Sequence, residues 1–252
     1  MIVSIMQPAY LPWLGYFHRI ACSDIHIVLD DVLIDRNSKT KFANRNRVRT
    51  KDGWSWLTVP LKTRGRSAEM LLNTIEIADD TRWAAKHWET IRCSYAKASF
   101  FSAHRDFFAA TYSSRWTLLP DLVRSTTSYL LGALGIATKI RYSSEMRVEG
   151  SKSDLILNLC RAAEATTYIS GPFGRDYLQQ DGFDAAGIGI LYHEYNHPTY
   201  SQVYPGFEPF MSAIDLLFNC GPESLGIIMQ DQAPLAKTTG TLGPVHPETL
   251  QS

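Results

Sequence analysis

Four side chains are candidates for a general base: Asp30, Asp31, Glu194 and His197. Asp30 and Asp31 end the apolar run Ile25 to Leu29. Glu194 and His197 follow another apolar run, Gly187 to Tyr192. Each is a plausible general base by residue type. His193 and His197 stand four apart, but Pro198 and the preceding strand argue against a helix there. No HExxH or CxxC accompanies them, so no metal site and no cofactor are expected. A second group could hold phosphate or carboxylate. From Arg36 to Lys51 there are seven basic residues and no acidic one. Arg45, Arg47 and Arg49 would share one face of a strand, because side chains alternate with period two. With Asn44 and Asn46 interleaved, this stretch suits bidentate anion recognition; a solvated edge hairpin protected by charge fits it equally. The third group is Ser170-Gly171-Pro172-Phe173-Gly174-Arg175, a glycine loop after a strand that would open a helix. Such a loop offers free N–H groups to an anion; the alternative is an ordinary turn. Tyr10, Trp13 and Tyr16 crowd around Gly15 and could stack on a sugar or base.

These residues need a framework. Ile2 to Met6 reads as a strand, Pro8 and Pro12 stiffen the loop after it, and Leu14 to Cys22 forms a helix. Ile25 to Leu29 is a buried strand rich in β-branched residues. Gln7-Pro8 and Asp30-Asp31 then sit at strand carboxyl ends, where open α/β sheets bind ligands. Lys51-Asp52-Gly53 predicts a tight turn, with Trp54 to Val59 returning. Lys62, Arg64, Gly65 and Arg66 form a basic loop, and Thr74 to Ala78 a strand. Asp79 or Asp80 caps a helix carrying Ala84, Trp88, Ile91, Tyr95 and Ala98 inward. Phe100 to Tyr112 and Thr117 to Leu134, ended by Gly135, complete a helical scaffold. Thr138 to Tyr142, a helix started by a capping-box-like Ser151 and Asp154, and Thr167 to Ile169 make a β–α–β unit. Phe210 to Phe218 is an amphipathic helix with Asp215 and Asn219 on one face. The expected fold is α/β: a mixed or mostly parallel Rossmann-like sheet, with a basic β-hairpin and a helical insertion at about 80–135.

The chain of 252 residues is 45% hydrophobic and 20% charged, ample for a core. No apolar run approaches the roughly 18 residues that span a bilayer, and the apolar N-terminus lacks a basic region. Cys22, Cys93, Cys160 and Cys220 are widely spaced, as in reduced, mostly buried thiols. A cytoplasmic protein is expected. A formal net charge of zero argues against bulk nucleic-acid binding, though not against a local basic patch.

The runs QPAYLPWLGYFHRI, SDIHIVLDD, NRNRV, WLTVP, ISGPFGRDYL and YSQVYPGFEPFMSAIDLLFNCG resemble the WbqC-like family in order and spacing. The resemblance covers residues 1 to 225 and implies one domain over 1–230, followed by a flexible tail at 231–252. It implies enzymes of surface-polysaccharide or natural-product biosynthesis that attach an aminoacyl or acyl group to the amine of an amino sugar or similar small molecule. The partners would be that amine and an activated acyl donor: an aminoacyl-tRNA, a thioester or an adenylate. Gln7, Tyr10, Trp13, Tyr16, His18, Asn44, Arg45, Arg47, Ser170, Gly171, Gly174, Arg175, Tyr200 and Gln202 are the expected substrate contacts. No Cys or Ser stands in a nucleophile motif, which favours direct transfer. Gly15-Tyr16-Phe17-His18 and the 170–177 loop are also similar in outline to nucleotidyl-transferase folds, without the HxGH signature. The alternative is a non-catalytic module binding a nucleotide-linked sugar or an RNA end.

Overall fold

Alternation within the first strand decides the centre of the molecule. In β1 (Ile2–Met6), Val3 and Ile5 enter one apolar cluster while Ser4 faces the other way. β2 (Ile25–Val28) repeats the pattern with Ile25 and Ile27. On the opposite face Ser4 Oγ and His26 Nδ1 lie 2.8 Å apart, beneath the Tyr16 ring. The computed structural model describes residues 1–34, 42–62, 70–78 and 82–232.

The remaining sheet strands are β5 (Lys139–Tyr142), β6 (Thr167–Ser170) and β7 (Gly189–Tyr192). All pairings in this sheet are parallel, in the order β5-β2-β1-β6-β7. Between β1 and β2 runs α1 (Leu14–Ala21). Between β2 and β5 come a hairpin and three helices. The hairpin, β3 (Arg45–Thr50) and β4 (Gly53–Thr58), is antiparallel. Its two-residue turn works because Gly53 takes φ +114°, which a side chain resists. The helices are α2 (Trp83–Tyr95), α3 (Phe101–Ser113) and α4 (Leu119–Ala133). They share an apolar cluster with α1, the hairpin and α8 (Ala213–Cys220). The opposite sheet face packs on α6 (Lys152–Ala162) and α7 (Gln180–Ala185). Short α5 (Ser143–Met146) follows β5, and α9 (Ser224–Met229) follows α8. No helix among the described residues is long and apolar enough to cross a membrane.

Three local expectations are corrected. Residues 74–78 form no named strand: a 3-10 turn covers Leu72–Thr74, and Glu76 and Ile77 make isolated bridges to Leu118 and Leu61. Ser151 occupies the N-cap of α6 without a side-chain capping bond. Cys93 is exposed rather than buried. Asp79 and Asp80, residues 64–66 and the segment from 233 onward lie outside the described residues.

Candidate functional site

From β1 the chain lays down β2 and β5 on one side, then returns to place β6 and β7 on the other. The strand order therefore reverses between β1 and β6. In open α/β sheets ligands bind in the crevice beyond the carboxyl ends at such a switch point. A cleft of about 960 Å³ opens there, a volume suited to a small-molecule site. Gln7 and Pro8 leave β1 into it, and Gly171 and Gly174 enter it after β6. Trp13, Tyr16 and Phe42 form an aromatic wall, with Trp13 and Phe42 ring centres 4.7 Å apart. Asn44 lines it from the start of the hairpin, its Nδ2 donating to Val59 O at 2.8 Å.

So Gln7, Trp13, Tyr16, Asn44, Gly171 and Gly174 come together as expected. The glycine loop itself differs from expectation. It turns into a short 3-10 segment, Pro172–Asp176, rather than an α-helix, so no helix dipole points at the cleft. Its glycine is sterically required: a Cβ on Gly174 would overlap Ser170 Oγ and lie 2.9 Å from Leu178 Cδ1. Ser170 is buried beneath the loop and serves as its packing partner.

Asp30 lines a second, smaller cavity of about 180 Å³ that shares Pro8 and Tyr16 with the cleft. Its carboxylate accepts from Ser143 Oγ (3.1 Å), Ser144 N (3.0 Å) and Ser144 Oγ (2.8 Å), so it caps α5 from outside the helix. Asp31 accepts from the same Ser143 hydroxyl. Asn73 Oδ1 and Thr127 Oγ1, in this cavity, are buried without a hydrogen-bond partner.

The other expected residues do not reach the cleft wall. Tyr10 is fully buried, its hydroxyl held by His87 and Tyr112; an aromatic beside prolines looked like a platform but is core. Glu194 is exposed and pairs with Arg175 at 3.2 Å, while Arg175 stacks on Tyr192. His197 has both ring nitrogens on backbone: Nδ1 donates to Pro198 O at 2.8 Å, and Nε2 accepts from Phe210 N at 3.1 Å. Burial holds it below the ordinary imidazole range, with Arg47 adding to the effect. Tyr200 and Gln202 both donate to Asp215 Oδ2 at 2.8 Å. They fasten the 200–208 loop to α8. Arg45 lies 4.3 Å over Trp56 and Arg47 5.0 Å over Trp54, on the shared strand face that the alternation predicts.

A charged residue of the cleft escaped the sequence reading. Arg19, in the last turn of α1, reaches the cleft beside Gly171. Its Nη2 stands 3.5 Å from His193 Nδ1, and His193 Nε2 stands 2.7 Å from His18 Nδ1. A guanidinium only donates, so His193 Nδ1 accepts and its Nε2–H donates to His18. Burial, with Arg19 close by, keeps both imidazoles neutral and pushes His193 down to about 3. His18 is thus a support for Arg19 and not itself a cleft residue. Among the described residues no His, Cys, Asp and Glu cluster could hold a metal.

The sequence profile of the WbqC-like protein family matches residues 7–227, which include both cavities' β1, β2 and β6 loops. The chain is similar to the uncharacterized protein Rv1507c of Mycobacterium tuberculosis, 36% identical over 224 residues that cover 88% of this chain and 95% of the relative. No solved structure matches. On the length of the match and the identity across it, the chain belongs to the WbqC-like protein family.

Proposed function

We propose that the protein is a transferase that forms an amide on the amine of an amino sugar or a similar small molecule, with the substrate seated in the switch-point cleft. The observation that carries this reading is the cleft itself. Its position, volume and aromatic wall are those of a small-molecule site. The amine nitrogen attacks the acyl carbon of an activated donor. The N–C bond forms, the bond to the donor's oxygen or sulfur breaks, and the amine gives up a proton. Asp30 lines the smaller cavity, which adjoins the cleft at Pro8 and Tyr16. The exposed Gln7 amide is a donor for the developing oxyanion.

A second reading is favoured by one observation: among the described residues no carboxylate lines the larger cleft. A binding module for a nucleotide-linked sugar needs none. The test mixes the protein with nucleotide-linked amino sugars and either acyl thioesters or aminoacyl-tRNA, and follows products by mass spectrometry. The transferase reading expects the mass of the amine plus the acyl group less one hydrogen. Asp30→Asn should remove that product while the amine still raises the melting temperature. A thermal shift without product from any donor, unchanged in Asp30→Asn, would establish the binding module instead.

A further inference from the structure

We infer that Arg19 is the anchor for an oxyanion, a phosphate or carboxylate group, carried by the ligand of the switch-point cleft. This deepens the proposal above and rests on the cleft being the substrate site. Arg19 is largely buried, yet it makes no ion pair with a carboxylate among the described residues. Its Nε is buried without any hydrogen-bond partner. Among the described residues its side chain has only the long 3.5 Å approach to His193, which is itself neutral. The groups around it are the phenols of Tyr16, Tyr168 and Tyr177, not acids. An uncompensated buried charge destabilises the chain that carries it. A guanidinium held in that condition at a ligand cleft has its counter-charge still to come.

The setting fits that role. A Cβ on Gly171 would stand 3.1 and 3.2 Å from the terminal nitrogens of Arg19, so the glycine leaves the guanidinium unobstructed on the cleft side. The His193–His18 pair fixes one edge of the fork from behind. The forked donors match the paired oxygens of a carboxylate or phosphate. The aromatic wall of Trp13, Tyr16 and Phe42 then faces the uncharged part of the same ligand.

The experiment uses the full chain, with uridine diphosphate and inorganic phosphate as phosphate probes and N-acetylglycine and acetate as carboxylate probes. Binding is measured by calorimetry. Separately, the arginine reagent phenylglyoxal is applied to wild type, and Arg19 adducts are mapped by peptide mass spectrometry with and without each probe. One class of probe should bind and protect Arg19, and which class does so identifies the oxyanion. Arg19→Gln should weaken that probe roughly 10- to 100-fold, with Arg19→Lys in between because it lacks the fork. Ligand-free Arg19→Gln should melt no lower than wild type; a purely structural Arg19 would lower it. Should Arg19→Gln fail to fold, protection of wild-type Arg19 decides. No binding and no protection by any probe, or unchanged affinity in a folded Arg19→Gln, overturns the inference. The two proposals fail separately. Arg19-dependent oxyanion binding without amide transfer leaves the anchor and removes the transferase. Transfer at wild-type kcat/KM in Arg19→Gln does the reverse.

Discussion

Replacing Gly174 by alanine tests whether the cleft wall is built as described. The added methyl would overlap Ser170 Oγ and come within 3.1 Å of Ser170 Cβ and 2.9 Å of Leu178 Cδ1. Ser170 is fully buried and Leu178 partly so, so the strain has few outlets. Leu178 can swing the end of its side chain aside. Ser170 cannot retreat, because its backbone is fixed in β6 by pairing with Tyr192 of β7. Overpacking of this kind costs about 1–3 kcal/mol. In a chain of this size that is a fall in Tm of roughly 2–12 °C. Urea unfolding followed by circular dichroism measures it directly.

The Ser170 hydroxyl is the main obstacle, and a double-mutant cycle isolates its part. Ser170→Ala alone gives up the bond from Ser170 Oγ to Gly171 O at 3.1 Å, worth about 0.5–1.5 kcal/mol. It also clears the space that the Gly174→Ala methyl needs. The double variant should therefore be more stable than the sum of the two losses by at least about 0.5 kcal/mol. Additive losses, or a Gly174→Ala protein as stable as wild type, would refute the packing at this loop.

Other expectations follow from buried polar groups. Asp30→Ala leaves Ser144 N and Ser144 Oγ without their acceptor, while Ser143 Oγ keeps Asp31, and urea unfolding should show a loss of about 1–3 kcal/mol. Asp30→Asn, whose neighbouring hydroxyls can turn, should lose less than about 1 kcal/mol; equal losses would mean that the charge rather than the hydrogen bonds matters. Burial pushes His26 and His193 down to about 3 and His87 to about 4, so the fold holds them neutral while the unfolded chain protonates them near 6.5. Their contribution is complete above about pH 6.5 and is lost as pH falls toward 4 and 3. Near pH 5 unfolding should take up roughly two to three protons, read from stability against pH, and uptake below one would contradict the neutral assignment.

Much of the framework was legible because alternation and β-branched runs mark strands locally. Ile25–Val28, Lys139–Tyr142 and Thr167–Ser170 fall where those signals stand. Asp-Gly marked the hairpin turn for the same reason. The switch point was half legible: Gln7 and Asp30 were placed at strand ends, but nothing local says that β6 inserts beside β1. That insertion is what brings Gly171 to Arg19 across 152 positions of sequence, 171 less 19. Gly15 to His18 carry the outline of a known motif, and Arg19 stands one residue beyond it. A lone arginine amid Leu14, Tyr16, Phe17 and Ile20, all buried, was the available signal. Tyr10, Tyr200 and His197 are the opposite case. Their residue types suit ligand contact, and only the partners of Tyr10 on α2 and α3, of Tyr200 on α8 and of His197 on nearby backbone show them engaged elsewhere.

The basic hairpin shows why residue type and face are insufficient to assign a phosphate arm. Arg49 shares the face of Arg45 and Arg47, but its guanidinium is spent on the protein. Nη1 donates to Thr50 O at 2.7 Å and Gly53 O at 2.6 Å, and Nη2 to Pro205 O at 2.8 Å. Nε is buried, and the residue is 4% exposed. It closes the hairpin turn and ties it to the 200–208 loop, and it cannot present a donor to a phosphate. Arg49→Ala should therefore cost about 2–4 kcal/mol, since bonds from a charged donor are worth roughly 1.5–3 kcal/mol each and do not add fully. Arg47→Ala loses mainly cation–π contacts and should cost about 0.5–1 kcal/mol. An RNA contact would show differently: each lost phosphate contact flattens the plot of log affinity against log salt by about 0.7–0.9. With tRNA as the titrant, Arg49→Ala should leave that slope unchanged while lowering the urea midpoint. A slope flattened by a full contact, in a protein of undiminished stability, would show that Arg49 faces the nucleic acid and that its three carbonyl bonds are not its role.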